Sequence, residues 1–327
     1  MISEIELFER KLKMKGRRFA VCMLAMVAAV ILFALPAEAG EKVQYRLRLE
    51  EGKKYCQKTI TEQKISQTIM GQQQDIEQTI GVGMDFDVND VDDSGNTEIL
   101  CVYRWSKFRQ KTPMEEILYD SSKKGASVPP AAQGFAALVG ESYLLKVTPE
   151  GLVQTVSGTA KMRSNVRKKL PSGLMGDLLL QSIEPYVGEK TIRELTEARM
   201  AMYPNKAVGT GDSWAAKYVL SEGFAMIVEN KWRLKERKNN VATIEVSSTI
   251  EPNPKAAPMD MGMMKMSYQF SGKQHGLMYM DETTGLIMGS KLNQQMSGEV
   301  KMSGAQTMTT PMKVDGVITM EMTERKK

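Results

Sequence analysis

The sequence predicts a mainly β protein with two antiparallel curved-sheet lobes, half-barrel or sandwich-like, and a short helical insert between them. Three observations support this fold class: long segments with strict apolar–polar alternation, Gly- and Asn-containing turns between them, and one stretch with helical spacing. Alternation with a period of two is typical of half-buried antiparallel strands. The predicted organisation is a signal peptide over residues 1–39, a first β lobe over 40–158, the insert over 159–205 and a second β lobe over 206–327.

The N-terminal segment predicts export. A basic stretch precedes an apolar run over residues 19–35, and the small-residue site Ala37-Glu38-Ala39 follows it. This order is typical of a secretory signal peptide that is cleaved before Gly40. After cleavage no stretch is apolar and long enough for a transmembrane segment. We therefore expect the protein in the periplasm or outside the cell.

Charge argues against nucleic acid as a partner. The chain has 44 Lys and Arg against 39 Asp and Glu, and six of the basic residues lie in the N-terminal segment. Nucleic-acid binding requires a concentrated basic face. One basic cluster lies in the helical insert and consists of Lys161, Arg163, Arg167, Lys168 and Lys169. We interpret it as a solvated helix face, with an anionic lipid or partner surface as the alternative.

The first lobe shows the clearest alternation. Residues 43–49 predict one strand and residues 76–88 predict another, with apolar side chains on one face of each. The segment Asp92-Asp93-Ser94-Gly95-Asn96 predicts a tight turn, because Gly and Asn tolerate positive φ angles. A further strand is expected from Thr97 to Arg109.

Cys56 and Cys101 are the two cysteines that remain after the predicted cleavage. In an oxidising compartment such a pair suggests a disulfide, which would stabilise the fold by roughly 4 kcal/mol in the chain-entropy model. The predicted strands of the two cysteines are separated by a third strand, however, and next-nearest strands lie roughly 9.6 Å apart. That separation exceeds disulfide reach. A disulfide and two buried thiols both stay open.

The insert and the second lobe follow. An apolar stripe through Leu174, Leu178, Leu179 and Ile183 has helical spacing, and residues 191–194 have the form of a capping box. The β pattern then resumes from residue 211. It includes a hairpin turn at residues 239–240 and a last strand over residues 314–323. Short turn-and-strand phrases recur in the same order in both lobes, which suggests a duplication.

Sequence signatures of catalysis are missing. His275 is the single histidine, so a histidine-based triad would depend on one residue. The chain has no H-E-x-x-H, G-x-S-x-G or paired C-x-x-C motif. The acidic residues between 85 and 93 alternate with apolar ones, which indicates a wet strand face rather than a calcium site. We expect a protein that is not an enzyme and has no cofactor.

The stretch PMDMGMMKM concentrates five methionines, namely Met259, Met261, Met263, Met264 and Met266. Thioethers are soft ligands that suit Cu(I), and His275 follows nine residues later, so a metal site is one interpretation. An apolar contact surface for a ligand or partner is another. The chain contains 26 methionines, however, and Lys265 lies inside the cluster, where it would repel a cation. Packing of flexible thioethers in a methionine-rich chain is the favoured interpretation.

Several turn-and-strand phrases carry a family resemblance. They lie at residues 45–47 and 51–55, 70–72, 91–97, 146–151, 208–214 and 284–287. In these phrases the chain resembles an uncharacterised family of exported bacterial β-rich proteins, known as a domain of unknown function. The resemblance implies an exported two-lobed β fold over nearly all of the mature chain. It implies no catalytic or binding residues.

Two functional hypotheses follow from the sequence. The first is a non-catalytic cell-envelope protein that binds an apolar ligand, such as a lipid, or an envelope protein partner in the concave face of a lobe. The second is a structural envelope protein with no small-molecule ligand, which contacts other proteins or cell-wall polymer through its polar surface. A methionine-based copper-binding protein is a lesser alternative.

Overall fold

The computed structural model describes residues 41–69, 71–123, 125, 127–221, 225–260, 265–304 and 307–325. The predicted signal peptide lies outside the described residues, so export stays a prediction. Residues 43–327 form one compact unit.

In the described part of the chain, thirteen strands form one antiparallel sheet. Those from the predicted first lobe are β1 (Lys54–Ile69), β2 (Gln72–Val91), β3 (Thr97–Lys111), β4 (Glu116–Asp120), β5 (Ser142–Val147) and β6 (Val153–Ser157). Those from the predicted second lobe are β7 (Ser213–Leu220), β8 (Met226–Lys238), β9 (Val241–Pro252), β10 (Met259–Asp260), β11 (Lys265–Asp281), β12 (Ile287–Ser303) and β13 (Thr307–Glu324). The mainly β, antiparallel prediction is confirmed.

The strand order is β6-β5-β3-β2-β1-β13-β12-β11-β9-β8-β7, with β4 beside β3 and β10 beside β11. The two predicted lobes are therefore two halves of one sheet, joined where β1 pairs with β13. This pairing extends from Tyr55 opposite Glu324 to Gln67 opposite Met312. Alternation within each strand cannot show the junction, because a strand at the edge of its own lobe has the same pattern as a central one. Pairing removes two long edges whose backbone groups would otherwise lack partners.

The predicted strand over residues 43–49 is not part of the sheet. Tyr45, Leu47 and Leu49 are buried as the alternation predicts, but the segment forms only an isolated bridge between Val43 and Val208. The Leu47 amide donates to the Pro149 carbonyl at 2.8 Å, and the next amide in the chain donates to a turn of the second half. The segment therefore ties both halves together through loops rather than through a strand ladder.

Five α-helices and a short 3-10 turn accompany the sheet in the described chain. They are the turn Pro130–Ala132, then α1 (Gln133–Leu138), α2 (Thr159–Lys169), α3 (Leu174–Ser182), α4 (Glu184–Val187) and α5 (Glu189–Met200). The last four lie within the predicted insert. They connect β6 at one edge of the sheet with β7 at the other edge, so they must cross a face of the sheet. Among the residues that the structure covers, no helix is both long and apolar enough to span a membrane.

Each half of the sheet has its own core on the same apolar face. The larger cluster packs strand residues such as Val82, Tyr103 and Phe108 against helix residues such as Met162 and Val166. The smaller cluster belongs to the second half and contains Tyr45, Met202, Val208, Trp232, Leu234, Ala242, Ile244, Val246 and Met280. The opposite face of the sheet is mostly polar. The helices therefore cover the apolar face of the first half, while Tyr45, Met202 and Val208 pack on that of the second half, as expected for a sheet with one hydrophobic side.

Three glycines on the apolar face allow neighbouring strands to approach closely. A Cβ at Gly272, Gly276 or Gly298 would lie less than 3.0 Å from a backbone oxygen of the adjacent strand. All three residues belong to β11 or β12. Glycine inside a strand is typical of such bends and close approaches.

Candidate functional site

A cavity of about 240 Å³ lies between the helical layer and the apolar face of the sheet. Its sheet side is lined by Gln57, Thr59, Thr61, Ile80, Val82, Met84, Tyr103, Tyr143 and Ile318. Its helix side is lined by Pro185, Tyr186, Ile192, Leu195, Thr196 and Arg199. Protein interiors are close-packed, and few voids exceed the size of a water molecule. A space of this size is therefore a distinct feature of the molecule.

Strand register explains the composition of the sheet side. Thr59 lies opposite Val82, and Thr61 lies opposite both Ile80 and Ile318. Directly opposite residues share a face of an antiparallel sheet. The cavity floor therefore has aliphatic side chains from β2 and β13 on either side of two hydroxyl groups from β1.

Aromatic side chains fix the wall formed by α4. The Tyr103 hydroxyl donates to the Tyr186 carbonyl at 2.7 Å, and the two rings pack edge to face with centroids 6.4 Å apart. Phe135 packs against Tyr186 in the same way at 6.1 Å. Burial raises the pKa values of Tyr103, Tyr143 and Tyr186 above the usual range. These phenols are neutral around pH 7.

Among the described residues that line this cavity, Arg199 is the one with a charged side chain. It lies in the last turn of α5, and its side chain is exposed. Within the described residues, its guanidinium forms neither an ion pair nor a hydrogen bond. Its positive charge opposes the burial-driven rise in the pKa values of Tyr103, Tyr143 and Tyr186, so the charge lies close to the aromatic wall. The cavity thus combines an apolar interior with a cationic residue in contact with solvent.

A row of mostly uncharged polar residues crosses the apolar face at the level of Gln63, two residues after Thr61 on β1. Register places eight residues at one level of the eight neighbouring strands from β3 to β8, and all but the glycine have polar side chains: Gln110, Gln78, Gln63, Gly316, Gln294, Gln274, Ser248 and Asn230. Gln63 donates to the Gln78 side-chain oxygen at 2.7 Å, and Gln78 donates to that of Gln110 at 3.4 Å. Ser248 is 2% exposed and its hydroxyl has no partner in the described structure. The row separates the helix-covered part of the face from the strand tips.

The opposite face has a wider, open trough of about 750 Å³. Polar-face residues such as Glu62, Arg109, His275 and Asp315 line it. The trough crosses from β3 to β11, and therefore spans the junction between the two halves of the sheet. Its charged and amide groups are available to a polar partner.

The structure describes only the two ends of the methionine cluster. Met261, Met263 and Met264 lie outside the described residues. Met259 and Met266 lie opposite each other where β10 pairs with β11. The Gln181 side-chain amide donates to the Met259 sulfur at 3.4 Å, and the Tyr268 hydroxyl donates to the Met266 sulfur at 3.5 Å. The described end of the cluster therefore contacts α3.

His275 is not close to the two described methionines. It lies on β11 opposite Asn293, on the polar face of the sheet, whereas Met266 lies on the apolar face. Nine residues of extended strand separate the two, which corresponds to about 30 Å. The structure therefore places Met259 and Met266 side by side and His275 far from both. Across the described ranges, no group of three or more His, Cys, Asp or Glu side chains could hold a metal ion.

Cys56 and Cys101 are both free thiols. They lie on β1 and β3 with β2 between them, which is the separation that the sequence predicts. Cys56 lies opposite Asp85, and Cys101 lies opposite Phe86. Because consecutive residues of β2 point to opposite faces, the two thiols lie on opposite sides of the sheet. In the structure, therefore, the two cysteines are not bonded to each other.

Most residues of the basic cluster in the insert form ion pairs within the molecule. Three of its members form ion pairs: Arg163 with Glu184, Arg167 with Asp177 and Lys169 with Glu141. These pairs connect α2 to α3, to α4 and to the segment before β5. They support the interpretation of a structural, solvated helix face.

Comparison with protein families gives one match. The sequence matches DUF6263, described as a family of unknown function, over residues 94–287, which is more than half of the chain. The chain belongs to this family. The matched range of DUF6263 begins before β3 and ends at the start of β12, so it includes the helical layer and Arg199. No curated protein matches the sequence.

Solved structures show only distant likeness to this DUF6263 member. A lipovitellin structure matches with a TM-score of 0.46 and 8% identity over 84% of this chain, and the chain spans only 25% of the lipovitellin chain. The COG4313 outer membrane channel from Pseudomonas putida F1 matches with a TM-score of 0.26, 7% identity and coverage of 88% and 99% of the two chains. OccK7 (OpdD) of Pseudomonas aeruginosa matches with a TM-score of 0.23, 7% identity and coverage of 84% and 100%. TM-scores below 0.5 do not establish a shared fold, so the function must be argued from the residues of this chain.

Proposed function

We propose that the protein is a non-catalytic binding module of the cell envelope that holds an apolar small molecule between its helical layer and its sheet. The cavity of about 240 Å³ carries this proposal. Dry apolar cavities of about 150 Å³ already accommodate benzene. The two layers pack into continuous cores around the cavity, so the space is a local exception rather than general looseness.

The chemistry of the lining supports binding rather than catalysis. The described lining residues include no carboxylate, imidazole or thiol that could act as a general acid, a general base or a nucleophile. The tyrosines among them remain protonated around pH 7, because burial raises their pKa values. Hydroxyl and amide groups in such a site orient a ligand.

Placement in the cell envelope comes from the sequence. The basic, apolar and small-residue order of the first 39 residues supports export, after which a ligand could be taken up in the periplasm or outside the cell. The partner in this proposal is a lipid or another envelope amphiphile.

Filling the cavity tests the proposal. Thr59 lines the cavity on β1, whereas Thr319 lies on the polar face of the adjacent β13, opposite Ile60. We expect the wild-type protein and Thr319→Phe to bind the neutral apolar fluorophore N-phenylnaphthylamine, and Thr59→Phe to lose most of this binding. Native mass spectrometry without detergent would show whether the purified protein carries a molecule of lipid size. Equal binding by both variants, or no binding by the wild type, would contradict the proposal.

A second candidate function follows from the polar trough. Its charged and amide lining would suit a structural envelope protein that contacts cell-wall polymer or another protein. Sedimentation with isolated cell wall would test this candidate. Charge reversal at Arg109 should weaken co-sedimentation, while Thr59→Phe should not.

A further inference from the structure

Arg199 gives the cavity a chemical preference that its apolar walls do not. A guanidinium presents planar donors that match the oxygens of a carboxylate or a phosphate. We propose that the cavity binds an anionic amphiphile, with the hydrocarbon chain between helices and sheet and a carboxylate or phosphate head on Arg199. This inference deepens the proposed function and depends on it.

Comparison with a neighbouring arginine shows why Arg199 is unusual. Arg193, on the same helix, donates to the Val153 carbonyl at 2.6 Å and pairs with Glu197 at 3.8 Å. Arg199 has no such partner in the described chain. Residues three and four positions before it are Thr196 and Leu195, so helical spacing supplies no carboxylate on that side.

The helix dipole accounts for only part of this arrangement. A cation in the last turn of α5 is favoured by the partial negative charge of the helix C-terminus. That effect would be satisfied by a side chain directed anywhere into solvent. It does not explain why the residue lines this cavity between the two layers.

The cavity is suited to the chain of an amphiphile. Ile80, Val82 and Met84 from β2 and Ile192 and Leu195 from α5 provide apolar surface on opposite sides. A volume of about 240 Å³ favours a chain of medium length. The tyrosines of the wall are neutral, so they do not oppose an anion next to the guanidinium.

Three probes with ten carbon atoms each test the head-group preference. Decanoate, decyl phosphate and decanol are titrated as competitors of N-phenylnaphthylamine on the full chain. We expect the two anions to bind about tenfold more tightly than decanol, which corresponds to one charge-assisted hydrogen-bonded pair. Arg199→Gln should lower the affinity for both anions to the level of decanol and leave decanol unchanged. Arg199→Lys should keep much of the preference, because it retains the charge.

Arg233 provides a matched control. It is also an arginine with no ion pair or hydrogen bond in the described structure, but it lies on β8 among residues of the polar face. Arg233→Gln should bind all three probes as the wild type does. Thermal unfolding of each variant shows whether the fold is retained.

The outcomes separate this inference from the proposed function. If all three probes bind equally to the wild type, or if Arg199→Gln retains the preference, the role of Arg199 is refuted while apolar binding stands. If neither the fluorophore nor any probe binds, the proposed function fails and the inference fails with it. Preference for decanoate alone would support the inference and restrict the head group to a carboxylate.

Discussion

A single methyl group at Gly276 should destabilise the whole sheet. Gly276 lies on β11, opposite Leu292 of β12 and Val246 of β9. A Cβ there would lie less than 3.0 Å from the Lys291 carbonyl oxygen and from the Leu292 Cα. Both obstacles are backbone atoms, so no side-chain rotation can relieve the overlap and the strands must move apart.

The expected magnitude follows from two opposing effects. Overpacking that shifts backbone typically costs about 1–3 kcal/mol. Replacing glycine by alanine also restricts the unfolded chain, which stabilises the folded state by about 0.4–1 kcal/mol where no strain results. The steric effect is larger, so Gly276→Ala should lower the free energy of unfolding by about 1–2 kcal/mol.

Gly316→Ala is the matched control on the same face of the sheet. The atoms nearest to its added Cβ would be the Glu62 carbonyl oxygen at 3.2 Å and the Gln63 Cβ at 3.4 Å. Small adjustments can accommodate these distances, so this variant should be as stable as the wild type within about 0.5 kcal/mol. Urea unfolding followed by tryptophan fluorescence measures both variants. Equal midpoints for Gly276→Ala and Gly316→Ala would refute the close-approach argument.

Two further predictions concern titratable groups. Burial raises the pKa of the Cys101 thiol to about 12. Iodoacetamide at pH 8 should therefore leave Cys101 unmodified in the folded protein and modify it in urea, as measured by peptide mass spectrometry. A disulfide-linked Cys56–Cys101 peptide in the unreduced digest would contradict the structure. Hydrogen bonds from Asn96, assisted by Lys146, hold the pKa of Asp92 at about 2, below its unfolded value of about 3.9. The stabilisation by the Asp92 carboxylate is therefore fully present above pH 4 and lost as the pH falls toward 2. Asp92→Ala should consequently show a smaller loss of stability than the wild type over that pH range, and an identical pH dependence would contradict this assignment.

Local features of the fold could be predicted from the sequence because neighbouring residues determine them. The hairpin at residues 239–240 is an example: both asparagines have positive φ angles, of 53° and 60°, which this residue type tolerates. The helical insert is another, since apolar spacing is a local signal. The capping box predicted at residues 191–194 is wrong, however, because α5 begins at Glu189 and its N-cap residue Gly188 forms no side-chain hydrogen bond. The separation of Cys56 from Cys101 by one strand also followed from counting predicted strands.

Long-range features could not be predicted in the same way. Alternation determines which residues of one strand share a face, but it does not identify the neighbouring strand or its register. The junction between β1 and β13 depends on register across strands, and so does the polar row from Gln110 to Asn230. The cavity depends on the path of the helices over the sheet. Only the lack of a carboxylate at helical spacing before Arg199 was readable in advance, and an isolated arginine is too common on helices to attract notice.

The pairing of the first strand with the last affects how the protein can be made. β13 ends at Glu324, yet it occupies the middle of the sheet rather than an edge. A ribosome must therefore release the chain through β13 before the central hydrogen bonds can form. Until then each half has an unprotected border, and such borders promote aggregation of incomplete chains. A nonsense mutation or proteolytic cut shortly before β13 would divide the sheet at its centre instead of trimming it, so the loss of β13 should be as damaging as the loss of a core element.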